Sequence, residues 1–158
     1  MATTSIPNIS DYINDIYDAK RRDAVNLLKY AYGQATQRIS DEGAAIDSQY
    51  KTDAAQLLGE QAVQNLNLNE YAAAKGLGSG AAAQIRVSSD NAYLGRGKAL
   101  ADNAAAERLQ LKSQADNALA EYTAGTQKAM SDSDEARAKS LLDADKLMLD
   151  WYKATKKK

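Results

Sequence analysis

Two short motifs contain residue types that carry out chemistry in other proteins. The first, Ser48-Gln49-Tyr50-Lys51, matches S-x-x-K, in which a lysine assists a serine nucleophile in acyl transfer. The K-T-G motif that accompanies S-x-x-K in such enzymes does not follow it. Tyr50 belongs to an apolar stripe with helical spacing, so we expect these four residues to be ordinary positions of a long helix.

The second motif, Gly76-Leu77-Gly78-Ser79-Gly80-Ala81, formally matches the dinucleotide fingerprint G-x-G-x-x-A, and Asp102 follows at a suitable distance. That fingerprint needs a β-strand before it and a βαβ unit around it. Here the preceding residues, 71–75, are strong helix formers. We therefore predict a turn between two helices, made by Gly76, Gly78, Ser79 and Gly80.

The chain contains no Cys and no His, which removes disulfides, thiolate metal sites and the most frequent general base. Carboxylates are densest at Asp41/Glu42 and at 132–135, and neither group has the ligand spacing of an EF-hand. We therefore expect no catalytic residues, no cofactor and no metal site, and a protein that is not an enzyme.

Charge and hydropathy point away from a duplex-DNA binder and from a membrane-spanning protein. The net charge is −1, and a short basic cluster stands at the end of the chain. No apolar run approaches the roughly 18–20 residues of a spanning helix. Residues 1–5 lack the basic and apolar regions of a signal peptide. We expect synthesis in a cytoplasm, with any export inside a larger particle.

Apolar residues recur at every eleventh position of the first half, with a parallel series four residues further on. Eleven residues per three turns corresponds to a straight or slightly right-handed helix. Alanine is abundant and Phe is absent, which favours long helices over a globular core. The two series contain Ile13, Ala24, Ala35, Ile46, Leu57 and Leu68, and Tyr17, Leu28, Ile39 and Tyr50.

These patterns predict an all-α, elongated hairpin of two or three long helices with a hendecad-like seam. We predict an N-terminal arm at 1–9, a first helix at 10–75 capped by Ser10 or Asp11, a glycine-rich turn at 76–80, a second helix at 81–155 and a basic tail at 156–158. Ser79 is the expected cap of the second helix. Whether that helix breaks near 125–133, where Asp132 or Ser133 would cap a third, stays open.

The second helix continues the seam, but with small side chains at many positions. Because alanine buries little apolar area, a lone hairpin of this composition should be marginally stable. We expect the seam to be completed by partners, in an oligomeric bundle or ring. The predicted seam residues of this half are Leu100, Leu111, Leu119 and Tyr122.

The last residues combine an aromatic pair with positive charge. Trp151 and Tyr152, with the lysines at 156–158, would contact a partner protein, a phosphate backbone or a membrane surface. The alternative is that Trp151 and Tyr152 complete the packing of the last helix, and that Lys156, Lys157 and Lys158 form a solvated end.

The segment 70–85, EYAAAKGLGSGAAAQI, resembles a pattern in small Ala/Gln-rich helical virion proteins of tailed bacteriophages. In those proteins a helix ends in an A-x-x-G-hydrophobic-x-G-S turn, and a second long helix with recurring Tyr and Asn follows. The resemblance covers residues 45–125. The family includes minor structural proteins of the head-tail region, and it extends to the internal-core, or ejection, proteins of short-tailed phages.

The resemblance implies a structural virion protein that associates with itself and docks on a portal, neck or tail component, with at most weak DNA contact. A first alternative is an ejection protein that leaves with the genome and lines a conduit across the host envelope, which would bring membrane contact. A second alternative is a cellular coiled-coil adaptor or scaffold.

Overall fold

The computed structural model describes residues 8–156 and contains two α-helices and no strand among those residues. Helix α1 spans Ile9–Ala74 and helix α2 spans Ser79–Lys156, so 97% of the structure is helical. The all-α hairpin predicted from the sequence is therefore confirmed. Of the predicted arm, residues 1–7 lie outside the described residues, as do Lys157 and Lys158 of the basic tail.

Helix α1 begins one residue earlier than predicted, and its cap is Asn8 rather than Ser10 or Asp11. The Asn8 carbonyl accepts hydrogen bonds from the backbone N–H groups of Asp11 (3.0 Å) and Tyr12 (3.2 Å). The Asn8 side-chain oxygen accepts a third from the N–H of Ser10, at 3.2 Å. An asparagine in this position satisfies donors that the first helical turn would otherwise leave without partners.

The glycine-rich turn ends α1 with a Schellman motif. Gly76 has a φ of 60°, the left-handed conformation that glycine adopts without a Cβ clash. Its N–H donates to the carbonyl of Ala73 (3.2 Å), and the N–H of Leu77 donates to that of Ala72 (3.0 Å). The half-buried Leu77 follows as the apolar residue that usually accompanies the motif. The turn predicted from the sequence is present.

Helix α2 starts at Ser79, two residues earlier than predicted, and runs without interruption through 125–133. The carbonyl of Gly78 accepts the first helical hydrogen bond, from the N–H of Ala82 (3.2 Å), so Gly78 and not Ser79 occupies the cap position. Ser133 caps no third helix. Its hydroxyl instead donates across to the carbonyl of Tyr17 on α1, at 3.2 Å.

Contacts within the hairpin group into two compact units. The terminal unit consists of Met1–Thr36 and Asp116–Lys158, and the turn unit is Gln37–Ala115. In the terminal unit, Tyr32 stacks on Tyr122 with ring centroids 5.0 Å apart. In the turn unit, Asp47 pairs with Arg108. Both pairs join one helix to the other in antiparallel order.

The two apolar series predicted from the sequence lie on the sides of the helices that face each other. Leu57 and Leu111 are buried, and the other predicted seam residues, apart from Leu119, are half-buried. Whether this column is a supercoiled hendecad seam stays a prediction. The half-buried members are Ile13, Tyr17, Ala24, Leu28, Ala35, Ile39, Ile46, Tyr50, Leu68, Leu100 and Tyr122.

Leu119 is the one predicted seam residue that the structure places elsewhere. Its side chain is 49% exposed, whereas Ala115, Ala118 and Tyr122 are half-buried. The covered positions advance by three or four residues per turn, so Ala118 occupies the inward position. Leu119 follows it and is rotated by about 100° out of the interface.

Leucine side chains pack against glycines of the opposite helix in both units. An added Cβ at Gly97 would lie 3.7 Å from Leu57, and one at Gly43 would lie 3.7 Å from Leu111. At Gly125 the corresponding distance, to Leu28, is 3.1 Å. These glycines let the helices approach closely while a leucine fills the space. Gly33, by contrast, has no atom within 4 Å of an added Cβ.

Replacing Gly76 with alanine should destabilise the hairpin by about 1–2 kcal/mol, because an L-residue disfavours the left-handed conformation. Gly80→Ala is the matched control, since an added Cβ there meets nothing within 4 Å and the residue lies in α2. It should be neutral or stabilising by up to about 1 kcal/mol. Urea denaturation followed by circular dichroism measures both, and equal effects at the two positions would contradict the turn geometry.

Gly33→Ala and Gly125→Ala separate helix propensity from packing within the terminal unit. Gly33→Ala should stabilise by about 0.5–1 kcal/mol, because the added methyl meets open space. Gly125→Ala gives the same gain in helix propensity, but Leu28 must shift by a few tenths of an ångström to make room for the methyl group. Thermal melts should therefore rank Gly33→Ala above Gly125→Ala, and the reverse order would mean that the helices are farther apart there.

Candidate interaction surface

Polar contacts between the helices of the turn unit include two ion pairs at its edges. The Arg108 guanidinium donates to the Asp47 carboxylate at 2.9 Å and lies over the Tyr50 ring at 5.9 Å. On the other side, Arg96 contacts Glu60 at 2.9 Å. Exposed pairs of this kind stabilise weakly but favour one register over others.

The Glu60 carboxylate remains ionised at neutral pH. A hydrogen bond from the Gln56 amide, together with the hydrogen bond and positive charge of Arg96, lowers the pKa of Glu60 below its ordinary value. A general acid working near pH 7 needs the opposite shift. The cleft lined by Glu60, Arg96 and Asn103 therefore contains an ion pair that joins the two helices, and not a general acid.

The S-x-x-K residues do not form a reactive constellation. Ser48 and Lys51 are both exposed on α1, and the Ser48 carbonyl accepts a hydrogen bond from Thr52 at 3.0 Å. Sequence reasoning overlooked an S-D-N tripeptide, Ser89-Asp90-Asn91, which could have served as a partner motif.

The S-D-N tripeptide lies too far from Ser48 to act with it. Asp90 accepts a hydrogen bond from Gln61 at 3.0 Å, which places the tripeptide beside that part of α1. Gln61 lies about 20 Å along α1 from Ser48, at 1.5 Å per residue. The helical backbone therefore keeps the two motifs apart.

The terminal unit has a denser polar interface. The hydroxyl groups of Tyr17 and Ser140 are hydrogen-bonded across the helices at 2.8 Å. Beside them, Arg21 and Arg137 alternate with Asp18 and Asp134 in a four-membered ion-pair network, with nitrogen–oxygen distances of 3.1–3.8 Å. Such a network favours one antiparallel register over its neighbours.

Helix α2 continues past the start of α1. Asp18 pairs with Arg137, so in antiparallel order Ile9 lies level with about residue 146. Every residue from 145 to 156 is exposed. The last ten described residues of α2 therefore extend roughly 15 Å beyond the level of Ile9, at 1.5 Å per residue.

This extension carries the most apolar exposed surface of the terminal unit, which we call the terminal patch. Trp151 is 70% exposed and Leu147 is 72% exposed. The patch includes a groove of about 350 Å³ that only apolar residues line. Exposed apolar patches of this kind are typical of contact sites on other molecules. The terminal patch consists of Ile9, Ala144, Leu147, Met148, Leu149, Trp151 and Tyr152.

The aromatic pair is exposed in the structure. Trp151 is 70% exposed and Tyr152 is 50% exposed, which favours the contact interpretation over packing of the last helix. The Lys156 ammonium lies 4.7 Å from the centroid of the Tyr152 ring, a cation–π contact, and Lys153 is in the same last turn. An apolar surface with positive charge beside it is thus available for contact.

Within residues 8–156, neither helix has a segment long and apolar enough to cross a bilayer. In the same part of the chain, no three acidic side chains come together in a way that could hold a metal ion. No protein family, curated protein or solved structure matches this chain.

Replacing Trp151 with serine should change the free energy of unfolding by less than about 0.5 kcal/mol, because the side chain is mostly exposed. Leu111→Ala, at a buried position facing Gly43, should cost about 2–4 kcal/mol. Chemical denaturation of both variants measures the contrast. A Trp151→Ser cost similar to that of Leu111→Ala would show that Trp151 is a packing residue.

Proposed function

We propose that this protein is a structural subunit of a tailed-bacteriophage virion, a helical hairpin that associates with other copies and docks on a portal, neck or tail component. The observation that supports a subunit role is that few side chains are buried while many large apolar side chains remain exposed. Only Leu57, Ala104 and Leu111 are buried among the described residues. The phage setting rests on the resemblance of residues 45–125.

The exposed area makes this imbalance quantitative. The chain exposes 12194 Å². A globular monomer of its mass, 17.0 kDa, would expose about 7,700 Å² by the usual scaling. Obligate interfaces bury about 2,000–5,000 Å² summed over both partners, so the excess on one chain is larger than its share of one such interface. Association would remove apolar surface from water that the hairpin alone leaves exposed.

The terminal patch is the proposed contact with the larger component. It combines an exposed tryptophan, an apolar groove and flanking lysines, and exposed aromatic residues are frequent anchors in protein interfaces. Its exposure is independent of the pairing between the two helices. The hairpin would thus be held by its neighbours along its sides and by the virion component at this end.

The terminal patch also favours one second candidate, the internal or ejection protein. This helix end exposes Trp151 and Leu147 and has lysines in its last turn, with Asp145 and Asp150 in the same stretch, so exposed apolar side chains rather than net positive charge would support contact with a membrane. In this role the chain would leave the particle with the genome and assemble on the host envelope.

Mass spectrometry of particles purified from the host strain after induction tests the structural role. We expect peptides of this chain in intact particles at a fixed ratio to the portal or tail proteins, and a Trp151→Asp variant that folds but is absent from particles. Absence of the wild-type chain from particles would contradict the proposal and favour a cellular scaffold.

The same preparation separates the two virion roles. A structural part stays in the particle after the genome has been released, whereas an ejection protein is lost with the DNA. Purified protein added to vesicles of anionic lipid gives a second readout, in which dye leakage that Trp151→Asp abolishes would favour ejection.

A further inference from the structure

The side of α2 that packs on α1 continues beyond the point where α1 begins. Within the terminal unit this side is marked by half-buried residues at steps of three or four, ending with Leu141 and Ala144. The same steps lead on to Met148 and Trp151, which are 56% and 70% exposed. Because Ile9 lies level with about residue 146, α1 does not extend far enough to cover these two positions. The inward side of α2 is therefore left uncovered along its extension.

The opposite side of the extension carries charges. Lys146, Asp150 and Lys153 follow one another at steps of four and three, about half a turn away from Met148 and Trp151. The extension thus has an apolar side, which continues the α1–α2 contact, and a charged side, which is suited to water. A helix with one apolar stripe buries that stripe against another element.

Two opposite charges lie on one edge of this apolar side. Asp145 and Lys156 are eleven residues apart, which is three full turns, so they share a column at the two ends of the extension. The Lys156 ammonium lies 4.7 Å from the centroid of the Tyr152 ring, and Asp145 lines a shallow depression with Met148 and Trp151. This edge is self-complementary, because a copy reversed end to end places its lysine opposite the aspartate and its aspartate opposite the lysine.

We propose that in the free protein the extension of a second copy packs antiparallel on this apolar side, in line with α1. A two-fold axis between antiparallel helices keeps the same edge of both on one side of the contact. If the last turn of the second copy reaches the level of Ile9, its Lys156 comes within one turn of Asp145, and symmetry repeats that pair. Charge complementarity therefore favours a copy, since an unrelated helix would have to carry the same two charges at the same spacing.

The helix ends that meet in this arrangement also have opposite charges. Asp11 lies in the first turn of α1, and Lys153 and Lys156 lie in the last turn of α2. The second copy brings its lysines close to that aspartate, while the positive end of the α1 dipole faces the negative end of the copy's α2 dipole. The register that pairs Asp145 with Lys156 thus also places the helix ends favourably.

The contact is small, so the dimer should be weak. Only about nine residues of each copy face one another, which puts the interface at the low end of specific contacts, below about 1,200 Å². We expect a dissociation constant on the order of micromolar. The inference goes beyond the proposed function, because it describes the free chain and holds whether or not the chain enters a virion. Docking of the terminal patch on a virion component would then require that the second copy leave, which a weak contact permits.

Two neighbouring residues of equal exposure test which side of the extension associates. Met148 and Leu149 are both 56% exposed, but Leu149 is rotated by about 100° away from the apolar side. Sedimentation equilibrium should show the wild type in exchange between 17.0 kDa and twice that mass. Met148→Glu places a charge in the contact and should raise the dissociation constant at least about tenfold, whereas Leu149→Glu should leave it within about twofold of wild type. Circular dichroism checks that both variants keep their helix content, and equal effects of the two would overturn the inference.

Exchange of the two edge charges identifies the occupant. Asp145→Lys and Lys156→Asp should each weaken the dimer by about two- to tenfold, because each places like charges together in both symmetric pairs. The double variant Asp145→Lys/Lys156→Asp should restore the wild-type dissociation constant, since every pair is again of opposite sign. Weakening by both single variants without rescue by the double variant would overturn the inference. A wild type that stays at 17.0 kDa at millimolar concentration would also overturn it, and would mean that residues 1–7 or a different protein cover the apolar side.

Discussion

Two helices packed against each other can enclose only a small interior, and this limits the whole structure. Each helix turns only one side towards the other, so most residues of both remain in contact with water. The described part of the chain buries three side chains, all apolar. Folding must still offset the conformational entropy of ordering more than a hundred residues. Local helix propensity, from the many alanines, supplies part of what the core does not, and the proposed association with further molecules would add to it.

Within this limit, the hairpin uses small residues to bring the helices together. Leu57 and Leu28 each fill the space over a glycine of the opposite helix, at Gly97 and Gly125. Polar groups then select the register, with Asp47–Arg108 in the turn unit and the Asp18–Arg137 network in the terminal unit. Such contacts contribute little stability individually, but a shifted register would break several at once.

The eleven-residue periodicity was sufficient to predict the helices, and Gly76 with its neighbours was sufficient to predict the turn, because both signals are local. The cap at Asn8 was missed because Ser10 and Asp11 are equally good caps by type, and only the backbone hydrogen bonds distinguish them. Leu119 was predicted to lie in the seam because the eleven-residue spacing was counted from leucines. The smaller Ala118 is the residue that faces the other helix.

The exposed faces could not be predicted for a different reason. Sequence periodicity identified one apolar stripe, the predicted seam between the helices, but it did not indicate which other apolar residues stay exposed. Which apolar residues remain free depends on the register between helices, and that register is set by contacts distant in sequence such as Arg108 with Asp47.

We propose that association with further molecules completes the hairpin. The most direct test is the thermal melting of the wild-type chain by circular dichroism over a hundredfold range of concentration, with light scattering at each concentration. If the hairpin is completed by other copies, the melting temperature rises with concentration and the mass is a multiple of 17.0 kDa. A stable, fully helical species of 17.0 kDa whose melting temperature is independent of concentration would contradict it.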